Sequence, residues 1–359
     1  MLEKIASTAY VAAELKARSH RDNHEFAAAA SSAHDAAAIA LAEGDPAAGW
    51  AMKYFQAENL MDAGDFEKCA DLARELIDHP HTGTGEQTQA RAHILLSKAW
   101  QGSGLLESAA EAARTAAELT SDEADIEINV KARQALIAAL ADGGRLVEAW
   151  NESRVLASII SEDLDDQVAG KAYWVIGNVA FLSNRVGEGL RYHELAATTF
   201  SPSRNLDVWA KFNKASAAMR LTADVADTDT LRCIERAELA TDVIGGTAND
   251  YLLLRLNRAH WNLLAGDPEG AAALLQDLCG TEDQLAPQRA GEACFLLGRA
   301  YLALGKKSLA RDCLLRAASN FDASGAPHRA QQTRAFLRAE LGRASFWSWL
   351  VHVTGFDRN

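Results

Sequence analysis

Residues that tolerate a left-handed or turn backbone recur along this chain at almost one phase. Gly64, Gly104, Gly144, Asn184, Asp224, Gly266 and Gly305 follow one another at intervals of 40, 40, 40, 40, 42 and 39 residues. An earlier, weaker copy turns near Asn23, ahead of "HEFAAAASSAHDAAAIALAEG". Gly, Asn and Asp end helices readily, because they accept the left-handed region at little steric cost. Each turn is flanked by ~12–16 residues of Ala/Leu-rich helical pattern. Each unit therefore reads as helix, tight turn, helix. No stretch alternates with the period of a strand, and β-branched residues are sparse.

A second phase supports the first. Five residues after the turn stand Cys69, Ala109, Ala149, Gly189, Ala271 and Ala310. A small side chain there lets the second helix approach the first closely. The composition allows the interior this requires: 48% of residues are hydrophobic, and with only 6 prolines in 359 residues long helices go unbroken. One helix pair cannot bury its apolar face alone, so the pairs must stack.

The unit resembles the tetratricopeptide repeat, with its W-x2-L-G-x2-Y, A-x3-F and A-P positions. In residues 294–322, Leu297, Gly298, Tyr301, Ala310 and Ala317 match, while Cys294, Leu314 and Asp322 replace Trp, Phe and Pro. In 173–201, Tyr173, Ile176, Gly177 and Ala196 fit, with Gly189 at the small position. The resemblance spans roughly residues 20–325. Its long unit is similar to the sensor halves of MalT-like transcription activators and to peptide-pheromone receptors. No helix-turn-helix segment precedes the first repeat. The first 40 residues are Ala-rich, unlike the acidic, Gln-bearing bundle of the pheromone-regulated phosphatases. The resemblance implies an all-α, right-handed α-solenoid of about eight helix pairs over 1–325, and a capping helix with an aromatic tail over 326–359.

The resemblance further implies that the second, fifth, ninth, twelfth and thirteenth residues of each unit face a concave groove. That register places Arg91, Lys131 and Lys171 at the second position, and Tyr54, Gln134 and Trp174 at the fifth. Glu58, Lys98 and Asn178 fall at the ninth, Met61, Gln101 and Phe181 at the twelfth, and the last clear copy presents Phe295 and Arg299. Two copies stay open by one residue: Lys211 and Lys214 or Asn213 and Arg220 in one, His260 or Asn257 in the other. Arg91, Lys131 and Lys171 form a basic ladder, which Lys211 extends under the first of those two registers. On a chain with 36 Lys and Arg against 49 Asp and Glu, net charge −13, such a ladder would make the groove locally positive. It suits an acidic peptide, with aromatic pockets and the Asn178 and Gln134 amides for the backbone. The same phase also fits a plain solvated helix face.

The charge balance disfavours nucleic acid and anionic membrane as direct partners, and no apolar run is long enough to span a bilayer. The five cysteines show no C-x-x-C spacing and read as reduced core thiols in a cytoplasmic protein. His79, His81 and His93 lack further ligands for a metal site. Ser121 or Asp122 reads as the N-cap of an acidic helix start. No G-x-S-x-G, H-E-x-x-H or P-loop occurs, so the expectation is a non-catalytic binding module without cofactor. The alternatives are a self-associating scaffold and the ligand-sensing subunit of a transcription regulator. The aromatic cluster Phe346, Trp347, Trp349 and Leu350 reads either as the cap of the last repeat or as an interface, including that of a homodimer.

Overall fold

The computed structural model describes residues 7–78, 85–120, 126–280 and 285–354, with 342–354 described by backbone alone. Among the described residues there are seventeen helices and no strand. They follow in pairs: α1 (Thr8–Asp22) with α2 (Phe26–Ala42), α3 (Pro46–Asp62) with α4 (Phe66–Asp78), α5 (Glu86–Gly102) with α6 (Leu106–Leu119), and α7 (Ile126–Asp142) with α8 (Leu146–Ile159). Next come α9 (Asp166–Leu182) with α10 (Val186–Thr199), α11 (Leu206–Thr222) with α12 (Thr228–Ile244), α13 (Ala248–Leu264) with α14 (Pro268–Gly280), and α15 (Pro287–Ala303) with α16 (Lys307–Ala323). The last helix is α17 (Pro327–Thr354). The architecture is an all-α solenoid.

One turn geometry closes the pairs. Gly64, Gly104, Gly144, Asn184, Asp224, Gly266 and Gly305 all have positive φ, from 57° to 87°. In each case the next residue donates its N–H to the carbonyl five positions back, as from Asp65 to Leu60 at 2.9 Å and from Arg185 to Ala180 at 2.8 Å. This pairing satisfies carbonyls that the helix end would leave open. In the first pair the left-handed residue is His24, at φ 59°, one position after the expected Asn23. The bond from the Glu25 N–H to the His20 carbonyl fixes that placement.

The small-residue phase is the seam between paired helices. Cys69, Ala109, Ala149, Ala271 and Ala310 are completely buried. At Gly189 a Cβ would come within 2.7 Å of the Phe181 ring, so glycine admits a large side chain from the opposite helix. All five cysteines are free and buried. Burial pushes the Cys69 and Cys313 thiols up to about 12, leaving them protonated and unreactive at neutral pH.

The chain divides into two compact units, Met1–Phe200 and Ser201–Asn359. In the first, α3, α5, α7 and α9 pack successively on one another and form a wall of first helices. In the second, α11, α13 and α15 do the same. The start of α17 closes the final pair: Ala330 is fully buried, and Phe336 meets Phe295 edge-on at 5.7 Å. No helix is long and apolar enough to cross a membrane among the described residues.

Candidate functional site

In the first unit, Arg91, Lys131 and Lys171 occupy equivalent positions on α5, α7 and α9, and all three are exposed. Lys131 pairs with Glu127 one turn back on its own helix. Both partners are about half exposed, so the pair contributes little. Lys98 lies two turns beyond Arg91. Its side chain is exposed, although neighbouring helices bury part of the space around its ammonium. That burial lowers its pKa, and the like charges of Lys171 and Lys131 add to the effect, while Glu58 and Asp62 oppose it. Arg91 and Lys98 make no ion pair among the described residues.

Glu58 and Tyr54 on α3 complete this surface. Burial raises the Glu58 carboxyl above its usual range, against the pull of Arg21, Lys98 and Arg91. Burial also raises the Tyr54 phenol, and Glu58 beside it acts in the same sense. Tyr54 stacks on Trp50, centroids 5.3 Å apart at 12°. The wall thus offers a cationic strip beside a flat aromatic surface. Trp174 lies half-buried on α9.

Three expected groove residues make contacts within the fold. Phe181 is 9% exposed and packs on His193, centroids 5.1 Å apart, because Gly189 leaves it a socket in the pair seam. Asn178 Oδ1 meets His193 Nε2 at 3.1 Å, and Gln134 Nε2 donates to the Val168 carbonyl at 3.1 Å. Both amides are half-buried and hydrogen-bonded within the fold.

In the second unit, the open register resolves towards Lys211 and Lys214, since Asn213 and Arg220 are buried. Lys211 is exposed and pairs with Asp207 at 2.7 Å. Lys214 bridges to Asp250 at the start of α13, and the Asn257 amide donates to the Lys214 carbonyl at 2.9 Å. Burial works against ionising Asp250, but hydrogen bonds from Lys214 and Thr247 outweigh it and hold its pKa at about 2. Lys214 is thus a clasp between repeats.

A cavity of about 430 Å³ opens on the first helices of this unit. His260 and Asn257, left as alternatives by the sequence, both line it, together with Phe295 and Arg299. The sequence reading missed Arg289 and Arg329, which also line it. Arg329 belongs to the capping helix, which carries no repeat register to place it.

Among the described residues no group of three or more His, Cys, Asp and Glu is arranged to hold a metal ion. His93, on α5, is half-buried; His79, His81, Ser121 and Asp122 lie outside the described residues. So do the side chains of Phe346, Trp347, Trp349 and Leu350.

The chain matches no family model, and no curated protein matches it in sequence. Among solved structures it is similar to aspartyl phosphate phosphatase F from Bacillus subtilis, with TM-score 0.58 and 11% identity over 89% of this chain and 96% of that one. At that identity the likeness shows the fold alone, an all-α solenoid of stacked helix pairs. The Cut9–Hcn1 hetero-tetramer of the APC/C aligns over 93% of this chain at 12% identity, but its TM-score of 0.23 carries no argument.

Proposed function

We propose that the chain is a non-catalytic recognition module that holds an acidic peptide or protein segment against the first-helix wall of its first unit. The observation that carries this reading is Arg91 and Lys98. Both are cations on an otherwise acidic chain, both lack an ion-pair partner among the described residues, and both are exposed. A carboxylate arriving there would gain charge-assisted hydrogen bonds without first displacing an internal acid. Lys131 and Lys171 extend the same strip, and the Trp50–Tyr54 stack accepts an apolar side chain. A regulatory or signalling role in the cytoplasm is part of this proposal.

The test is binding of a short fluorescein-labelled acidic peptide, followed by anisotropy, to the native chain and to Arg91→Glu/Lys98→Glu. The expected result is at least a tenfold loss, about 1.4 kcal/mol, with the helical circular dichroism signal retained. Equal affinity in a folded variant would remove the strip from the binding surface.

A further inference from the structure

The cavity of the second unit has a chemistry of its own. It is bounded by α11, α13, α15 and the start of α17, and its volume of about 430 Å³ falls in the range of roughly 300–1,000 Å³ usual for small-ligand pockets. Leu253, Leu256, Phe295 and Leu296 supply an apolar lining. The charges are three arginines, Arg289, Arg299 and Arg329, and two acids, Asp224 and Glu292.

These charges are not equivalent. Arg329 is committed: it pairs with Glu292 at 2.7 Å and lies over the rings of Phe295 and Phe321 at 5.5 and 5.1 Å. Arg299 is not. Its polar contact is with His260 Nε2 at 3.5 Å, the outer limit of a hydrogen bond. It lies over Phe295 at 6.0 Å and has no carboxylate partner among the described residues. A half-buried guanidinium has five donors to satisfy, in a fork that fits a carboxylate.

We propose that this cavity binds a monoanionic carboxylic acid with an apolar body, Arg299 gripping the carboxylate while Phe295, Leu253, Leu256 and Leu296 enclose the rest. The charge count selects a single negative charge. With Arg329 paired to Glu292, Arg289 and Arg299 stand against Asp224, which leaves one net positive charge for the ligand to match. The shared chemistry, an aromatic or aliphatic body ending in a carboxylate, occurs both in free organic acids and at the C-terminus of a peptide. The site stands whether or not the first unit binds acidic segments, because the two rest on different residues.

The experiment is calorimetric titration of the full chain with N-acetylphenylalanine, its amide, phenyl phosphate, and a short alanine peptide ending in phenylalanine with a free or amidated terminus. The free acid, the free-terminus peptide or both should bind at least tenfold more tightly than the corresponding amides. Arg299→Gln should abolish that preference, and phenyl phosphate should bind more weakly than the acid. A peptide tenfold tighter than N-acetylphenylalanine identifies a C-terminus as the source; comparable affinities identify a free acid. The proposal is overturned if acids and amides bind alike, if neither acid nor peptide binds, or if phenyl phosphate is preferred. It is also overturned if the acid preference survives Arg299→Gln. Because the acid–amide comparison is made on the native chain, it holds even if the variant fails to fold.

Discussion

At the scale of single residues, interior positions are set by what stands across the seam. At Gly177 a Cβ would come within 2.2 Å of the His193 ring, so glycine there is what lets His193 bury completely and reach Asn178. His260 shows the opposite case, a polar ring kept close to charge. Burial lowers its pKa to about 4, and the Arg299 and Arg329 cations act in the same direction against Asp224. An unfolded histidine titrates near 6.5. Between about pH 6.5 and 4 the unfolded chain therefore takes up a proton that the folded ring refuses. The contribution is complete above pH 6.5 and drains away as the pH falls towards 4. Its size is on the order of 1–3 kcal/mol. Urea stability measured across this range should fall more steeply in the native chain than in His260→Gln. Parallel curves would show that His260 contributes no such term.

At the scale of the element, the helix pair depends on one left-handed residue and the bond that follows it. Gly64 has φ 81° and open space where a Cβ would lie, so only backbone strain opposes a side chain. Gly64→Ala should cost about 1–2 kcal/mol. Asn184 already bears the left-handed geometry at φ 58°. Asn184→Gly exchanges that modest strain for greater unfolded-chain entropy, and should stay within about 0.5 kcal/mol of the native value. Urea midpoints of the two variants check the contrast. If Asn184→Gly were as costly as Gly64→Ala, the turn would not be the determinant. The one-residue displacement from Asn23 to His24 belongs to this scale too. Composition marks Asn as the better left-handed residue, but the helix length of α1 and the Glu25–His20 bond decide which residue occupies that place.

At the scale of the whole molecule, a net charge of −13 repels itself, while the binding surfaces argued above are cationic. Salt should therefore act with opposite signs on folding and on binding. Raising sodium chloride from about 50 to 500 mM shortens the screening length severalfold. It should raise the urea midpoint and weaken the acidic peptide. If both moved in the same direction, the cationic strip would not be what attracts the ligand. Repeat proteins suit this division, since stacking can be satisfied by buried positions while the wall of first helices varies.

The residue order makes the helix pair, its period and its seam legible, because each rests on local backbone physics. Left-handed tolerance at Asp224 and Gly266 ends a helix, and Ala149 or Ala310 lets the next one close. It also singled out Arg91, Lys98 and Arg299 by register. Which register residues make contacts within the fold emerges from packing between segments distant in sequence. Phe181 fills the socket at Gly189, Gln134 and Asn178 serve neighbouring groups, and Lys214 clasps Asp250. Arg329 enters the cavity from a helix outside the repeat. Periodicity says on which side a residue lies; what it meets there depends on the shape and charge of a segment distant in sequence.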